Sequence, residues 1–402
     1  MTIEDKILKF SKSRNEPEWL TNLRIQNYRR YFDIKKNSIS DSPLEKRYTT
    51  FDIEEFLDNI PEEPAGGKFY EDNGYFIVDF TKKEKLDIKS ESLMITRLME
   101  IKEALMEYPD IIKNSMENAR DEWTALTNAL WDTGIFVNVP DDRRCERLMK
   151  FKTIFPEGVM VKKDLFNIGR NSYLQFVEYS NSPERFTGIE ETTINVGSYS
   201  QLKHLTMIDG GQSKMVSIKN SHLMANANDE WYYALKNINK HIMVTNAELR
   251  GDYSNTDYKG AILANGNEHY DVNSNIIHEG HHSNSNTNVR ATLEGNSVSV
   301  MRGSIKVSNK ANESNAYFSG NALLLSQNAR CNALPFLEIE GDRAQAKHSA
   351  SITNVDYDQL FYMQSRGLDE KKAENLLVEG FLDPVVRQIV IYEGKRYLIY
   401  ND

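Results

Sequence analysis

The stretch that decides the fold is Asp271–Cys331, "DVNSNIIHEGHHSNSNTNVRATLEGNSVSVMRGSIKVSNKANESNAYFSGNALLLSQNARC". It has neither a helical stripe nor a long apolar run. Val, Ile, Leu and Tyr are interleaved with Asn, Ser and Gly. Small polar side chains suit tight corners, and amides at successive corners can stack and satisfy one another. A disordered low-complexity tract would lack the interleaved β-formers.

Working outward, the same texture runs from about residue 135 to 352. "YLQFVEY", "TTINVG", "HIMVTNAEL", "SVSVMRGSIKVS" and "LPFLEIE" are strand-like, rich in β-branched and aromatic residues. Turn signals separate such segments: Gly197, Gly210–Gly211, Asn226, Asn239, Gly251, Gly266, Gly295, Asn309, Asn328 and Gly341. They recur at roughly 12–19 residues, with one missed beat between Gly266 and Gly295. A β-sandwich would show cleaner two-residue alternation. The corner-rich composition favours a β-helix.

The flanks are different. Asn15 is a candidate cap for a helix carrying Glu16, Pro17 and Glu18 in its first turn, with Trp19, Leu20, Leu23 and Tyr31 on one stripe. Pro61, Pro64, Gly66 and Gly67 mark loops, and "GYFIVDF" is a strand. Met94, Leu98, Ile101 and Leu105 recur at helical spacing and predict an amphipathic helix from Glu91 that Pro109 ends. "DEWTALTNALW" predicts another helix. At the other flank, Asp356 caps a helix that Gly367 terminates. Asp369 caps a second, with a stripe of Ala373, Leu376, Leu377 and Phe381. Asp383–Pro384 start a third, and the tail forms a hairpin at Glu393–Gly394.

Composition narrows function. The net charge of −10 argues against a nucleic-acid or membrane-surface partner. No apolar run approaches a membrane span, and the charged start lacks a leader's apolar core, so a cytoplasmic location is expected. The two cysteines, Cys145 and Cys331, form no metal-type spacing and suit a reducing compartment. "HEGHH" pairs His278 with His282 at i, i+4, which converges only on a helix, and this region is not helical. No phosphate-binding GxxxxGK[ST] loop, GxSxG or HExxH is present, so any ATP chemistry belongs to a partner and no catalytic residue is assigned.

Four stretches carry a family likeness: "EPEWLTNLRIQNYR" (16–29), "ALTNALWDTGIFVNVP" (125–140), "VMRGSIKVSNKANESNAYFSGNALLLSQNA" (300–329) and "DQLFYMQSRGLDEKKAENLLVEGF" (358–381). "RYTTFD" (47–52) adds a weaker match. The chain resembles the SufB/SufD (SufBD) family of iron–sulfur cluster assembly proteins, nearer its SufD branch. The resemblance implies a mainly β fold: a right-handed parallel β-helix core flanked by N-terminal and C-terminal α-helical domains. The expected organisation is a helical region with a mixed middle (1–130), the β-helix (131–352) and a C-terminal helical docking domain (353–402).

The likeness further implies a non-catalytic subunit working with a SufC-type ATPase and a SufB-type paralogue, as heterodimer or homodimer. No tightly bound cofactor is expected; a transient iron–sulfur cluster belongs to the complex. The implied ATPase dock is Phe361, Tyr362, Ser365, Arg366 and Gly367; aromatics and arginine suit an interface anchor. The same helices are expected to close the last rung. His348 matches a histidine placed at the subunit interface and implicated in cluster assembly, where it could serve as an iron ligand. The late-rung cysteine of SufB-type scaffolds is Gly320 here, the acid after the matching histidine is Ser349, and a cysteine found in some SufD proteins is Ala346. Two alternatives remain: a SufB-like or homodimeric scaffold using His348 and Cys331, and a β-helix polysaccharide lyase or hydrolase.

Overall fold

A computed structural model describes the chain except residues 1, 38–48, 62–65, 83, 85, 87, 89–95, 118, 342 and 394–402. The N-terminal part holds α1 (Ile3–Ser13), α2 (Glu18–Asn37), α3 (Ile53–Asp58), β1 (Lys68–Asp72), β2 (Tyr75–Asp79), β3 (Arg97–Glu100), α4 (Ile101–Glu107), α5 (Pro109–Met116) and α6 (Glu122–Leu130). A run of strands follows: β4 (Ile135–Val139), β5 (Arg144–Ile154), β6 (Gly158–Ile168), β7 (Tyr173–Asn181), β8 (Phe186–Val196), β9 (Gln201–Asp209), β10 (Lys214–Leu223) and β11 (Asn228–Lys236). It continues through β12 (Lys240–Leu249), β13 (Asn255–Ala264), β14 (His269–His278), β15 (Asn284–Leu293), β16 (Val298–Val307), β17 (Asn315–Leu324), β18 (Arg330–Ile339) and β19 (Gln345–Asn354). The chain then enters α7 (Tyr357–Ser365) and α8 (Glu370–Glu393).

From β6 onward every strand pairs in parallel with the strand two before it, so the odd strands from β5 build one sheet and the even strands from β4 another. This is the expected parallel β-helix. Because side chains alternate across each strand, half of them fill a lumen between the sheets. Phe151, Phe166, Phe176, Trp231, Tyr233, Tyr258 and Phe318 lie there. The outer face of the even sheet packs against α4–α6 through Val161, Leu165, Ile189, Val216 and Ile242, and α2 packs on α6. The outer face of the odd sheet packs against α8.

The corners work as their composition foretold. Asn255 donates to Asn228, Asn284 to Asn255 and Asn315 to Asn284, at 2.9, 2.9 and 3.1 Å, an amide ladder running rung to rung. Gly251 and Gly280 lie so close to the rung before them that a Cβ would stand 2.0 Å from Ala225 N and 2.2 Å from Gly251 O. The missed beat between Gly266 and Gly295 is filled by the Gly280–His282 corner, where His282 is left-handed with φ 55°. "HEGHH" is therefore a strand end and a corner. His278 is buried between Ser283 Oγ and Ser285 Oγ, both at 2.8 Å, while His282 stacks on Tyr253.

Several local expectations are corrected. Residues 97–100 form β3, antiparallel to β4 (Leu98↔Val137), and the helix starts only at Ile101. Sheet pairing outweighs a four-residue helical pattern; Met94 lies outside the described residues. Pro109 opens α5 at its first turn, where its missing N–H costs nothing. Asn15 does not cap α2: it is left-handed (φ 52°) between α1 and α2, and Pro17 O accepts the first bonds of α2 from Leu20 and Thr21. Asp383–Pro384 start no third helix. Pro384 sits inside α8 on its exposed side, where water can satisfy the carbonyl that the ring leaves free, while Leu382, Val385 and Val386 hold the helix on the sheet. The proposed hairpin is replaced by helix through Glu393; residues 394–402, like Pro64, Arg47 and Tyr48, lie outside the described residues.

Among the described residues the expected end cap is also absent. α8 lies along the flank of the odd sheet, over β11, β13 and β15. Among the described residues nothing covers the last rung: Phe336 is 59% and Ile352 44% exposed. At the opposite end the antiparallel β1 and β3, with charged edges, stop the parallel stacking.

Candidate functional site

The candidate docking segment is built by capping. Asp356 Oδ1 accepts from the N–H groups of Asp358 (2.9 Å) and Gln359 (3.2 Å), starting α7. Gly367, at φ 91°, ends it, with its N–H on Gln364 O and that of Leu368 on Met363 O. Asp369 then accepts from Lys372 N–H at 2.9 Å and starts α8. On α7, Leu360 turns toward the cluster under α8. Positions 361, 362, 365 and 366 consequently share the outward face. Phe361 is 71% and Tyr362 58% exposed. Arg366 Nη2 donates to Tyr362 Oη at 3.0 Å and its guanidinium lies 5.1 Å from that ring centroid; Ser365 Oγ donates to Tyr362 O at 2.7 Å. The structure thus brings Phe361, Tyr362, Ser365 and Arg366 together. Gly367 is accounted for by the left-handed turn. Of the predicted stripe of α8, Ala373, Leu377 and Phe381 pack on the sheet side together with Val378 and Leu382, whereas Leu376 is 47% exposed. Leu376 thereby joins the exposed apolar surface of the helical pair.

His348 stands elsewhere, on the open rung. In register it lies over Phe318. Phe318 is buried in the lumen, yet His348 is exposed because no rung follows among the described residues. Ser349 Oγ donates to Ser319 Oγ at 3.1 Å and bonds Tyr317 Oη at 2.9 Å, so it knits the last two rungs. Gly320 faces the lumen between Val289 and Ala350 in register. Cys331 lies over Ser299, and burial pushes its thiol up to about 12, so it is no ready thiolate. Burial likewise raises the Cys145 thiol. Among the described residues no group of three or more His, Cys, Asp or Glu side chains could hold a metal ion.

One cluster escaped the sequence reading. Lys162, Asp164, Glu178, Glu190, His204, Lys219 and Asp229 are all buried or nearly so within the early rungs. Lys162 Nζ donates to Asp164 at 2.5 Å, Lys219 Nζ to Glu178 at 2.8 Å. Lys219 also faces His204 Nδ1 at 3.3 Å, which leaves Nε2–H to donate to Asp229 at 2.9 Å. Tyr258 Oη donates to the other Asp229 oxygen at 2.7 Å. Strand parity was the available signal, since Lys162 and Asp164 share the side of Met160 and Phe166.

Two of the resembling stretches meet. Arg24, fully buried, grips Glu16 with two bonds of 2.9 Å, donates to Trp131 O at 2.9 Å and lies 4.4 Å from the Trp131 ring. The "EPEWL" helix is thereby locked to the segment that enters the solenoid.

The described residues form a parallel β-solenoid with helices packed along its flanks. The family model "SUF system FeS cluster assembly, SufBD core domain" matches residues 155–381, and the chain belongs to that SufBD family. It is similar to the "Iron-sulfur cluster assembly protein SufD" of Bacillus subtilis (strain 168), 24% identical over 99% of this chain and 97% of that protein. An iron–sulfur cluster assembly SufBD family protein of Pyrococcus horikoshii is 23% identical over 97% of this chain and 93% of its own length. A chloroplastic SufBD family protein of Arabidopsis thaliana is 22% identical over 96% and 76%. No described helix is long and apolar enough to cross a membrane.

Proposed function

We propose that this chain is the SufD-like, non-catalytic subunit of a cytoplasmic iron–sulfur cluster assembly complex. A SufC-type ATPase docks on α7 and α8, and a SufB-type paralogue pairs with the open rung. The observation that carries this reading is the terminal rung itself. Among the described residues β18 and β19 present unpaired edges with exposed Phe336 and Ile352, while the first rung is closed by antiparallel strands. An edge of that kind is a template for another sheet. The protonated Cys331 and the glycine at 320 support a helper that leaves the thiolate ligands to its partner, with His348 at the junction.

Co-expression with a SufC-type ATPase and a SufB-type chain, followed by affinity capture, tests the assignment. The unmutated chain captures both; Phe361→Ala with Arg366→Glu loses the ATPase and keeps the paralogue. Capture of neither partner, or a stable cluster reconstituted anaerobically on this chain alone, overturns it.

A further inference from the structure

The lumen cluster has a charge imbalance. Two ammonium groups, Lys162 and Lys219, face four carboxyls: Asp164, Glu178, Glu190 and Asp229. Burying an uncompensated carboxylate among aromatic rings is costly, and a proton is the cheapest remedy. Which carboxyl takes it follows from the contacts. Asp164 receives Lys162 and the Ile135 N–H. Glu178 receives Lys219. Asp229 receives His204 and Tyr258. Glu190 alone is met only by hydroxyls, Ser180 Oγ at 2.9 Å and Ser217 Oγ at 3.0 Å.

Hydroxyls can turn. A proton on either Glu190 oxygen finds a serine oxygen to accept it, and Ser217 also bonds His241 Nε2 at 2.9 Å. Glu190, Lys162, Asp164, Glu178, Ser180 and Thr206 line a cavity of about 20 Å³, room for a single water. The groups facing Glu190 from the neighbouring strands are Lys162 and Asp164 on β6, Glu178 on β7, His204 on β9, Lys219 on β10, Asp229 on β11 and His241 on β12. His204 and His241 are both driven toward neutrality by burial, His241 to about 3. Neither supplies a compensating charge.

We propose that Glu190 is carried as a neutral carboxylic acid at neutral pH and is the pH-sensitive element of the solenoid interior. Burial favours the same state, raising the Glu190 carboxyl, whereas Lys219 and Lys162 outweigh burial at Glu178 and hold that carboxyl below its ordinary range. Any opening that wets the lumen releases this proton. The inference is independent of the partner assignment.

The full-length chain is compared with Glu190→Gln and Glu178→Gln by infrared difference spectroscopy and thermal melting between pH 4 and pH 8. The folded chain holds a proton that the unfolded chain releases above about pH 4.3. The stabilisation is therefore complete below that pH and is lost as pH rises through the folded value. Expected results are loss of one protonated-carboxyl carbonyl band in Glu190→Gln, a melting temperature matching the unmutated chain near pH 4, and a melting temperature relative to the unmutated chain that rises with pH. Glu178→Gln keeps the band and melts lower. An unchanged band in Glu190→Gln, a loss of stability equal to that of Glu178→Gln, or failure of Glu190→Gln to fold overturns the proposal.

Discussion

His348 lies in register over Phe318, one strand beyond the last ring that the lumen encloses. The lumen column runs Phe176, His204, Trp231, Tyr258, Thr287, Phe318, His348, one residue per rung. Its last member is the one that solvent reaches. His348→Ala should therefore leave the melting temperature within about 2 °C, since exposed substitutions usually cost under about 0.5 kcal/mol. Cluster assembly by the reconstituted complex should fall at least several-fold. Full assembly activity in the variant would remove His348 from the site.

Gly320 has space that Gly303 lacks. A Cβ at Gly320 would stand 3.4 Å from the Phe318 ring, an ordinary contact, whereas at Gly303 it would stand 2.4 Å away. Gly320→Cys should fold with a small loss. Gly303→Cys should lose about 1–3 kcal/mol through overpacking. Urea unfolding of the two, with thiol counting, separates them. If Gly320→Cys also acquires a reconstituted cluster, the missing thiol is what distinguishes this lumen from a scaffold's.

α8 holds the flank through Leu382, which is fully buried, and offers Leu376 to solvent. Leu382→Ala should cost about 2–5 kcal/mol and speed hydrogen exchange along α8. Leu376→Ala should cost under about 0.5 kcal/mol yet weaken ATPase capture. Equal effects of the two on stability would contradict the orientation of the helix.

Glu16 neutralises Arg24 in the lock beneath Trp131. Glu16→Gln leaves a buried guanidinium without its carboxylate, and breaking such a pair costs about 3–5 kcal/mol. The loss should appear as a lower urea midpoint with protection lost first in α1 and α2. A variant as stable as the parent would show that the lock is dispensable.

Glu248 ties the outer face of the even sheet to the segment before α6. Burial resists its ionisation, but the hydrogen bond and charge of His222, with Arg250 and Arg120, outweigh this and hold the carboxyl at about 2. A depressed carboxyl contributes stability above its unfolded value, near 4.3, and loses it as pH falls toward 2. The contribution is on the order of 3 kcal/mol. Glu248→Gln should be less stable at pH 7 and show a flatter decline between pH 5 and pH 2. Acid titration followed by fluorescence measures both.

The strand regime, the corners and the family were legible in the sequence because they depend on local chemistry. Asn and Gly at repeated corners are needed wherever consecutive rungs touch, and that need leaves a period. The caps Asp356, Gly367 and Asp369 were legible for the same reason, since each acts within four residues. The run of 97–100 and the continuation of α8 past Pro384 were not. Both were settled by surfaces distant in sequence: β4 pairs with the first, and the odd sheet holds the second.

The same division applies to function. By itself the sequence determined that this chain coils as a parallel β-helix, carries a capped helical pair with aromatics and arginine at one helix end, and lacks a phosphate-binding loop. Only the tertiary structure decided that the pair lies along the flank and leaves the last rung open. Only it placed Cys331 in a setting that keeps it a thiol, and gathered seven ionisable groups from six strands into one lumen. Burial and register are sums over contacts from many rungs, and no single segment encodes them.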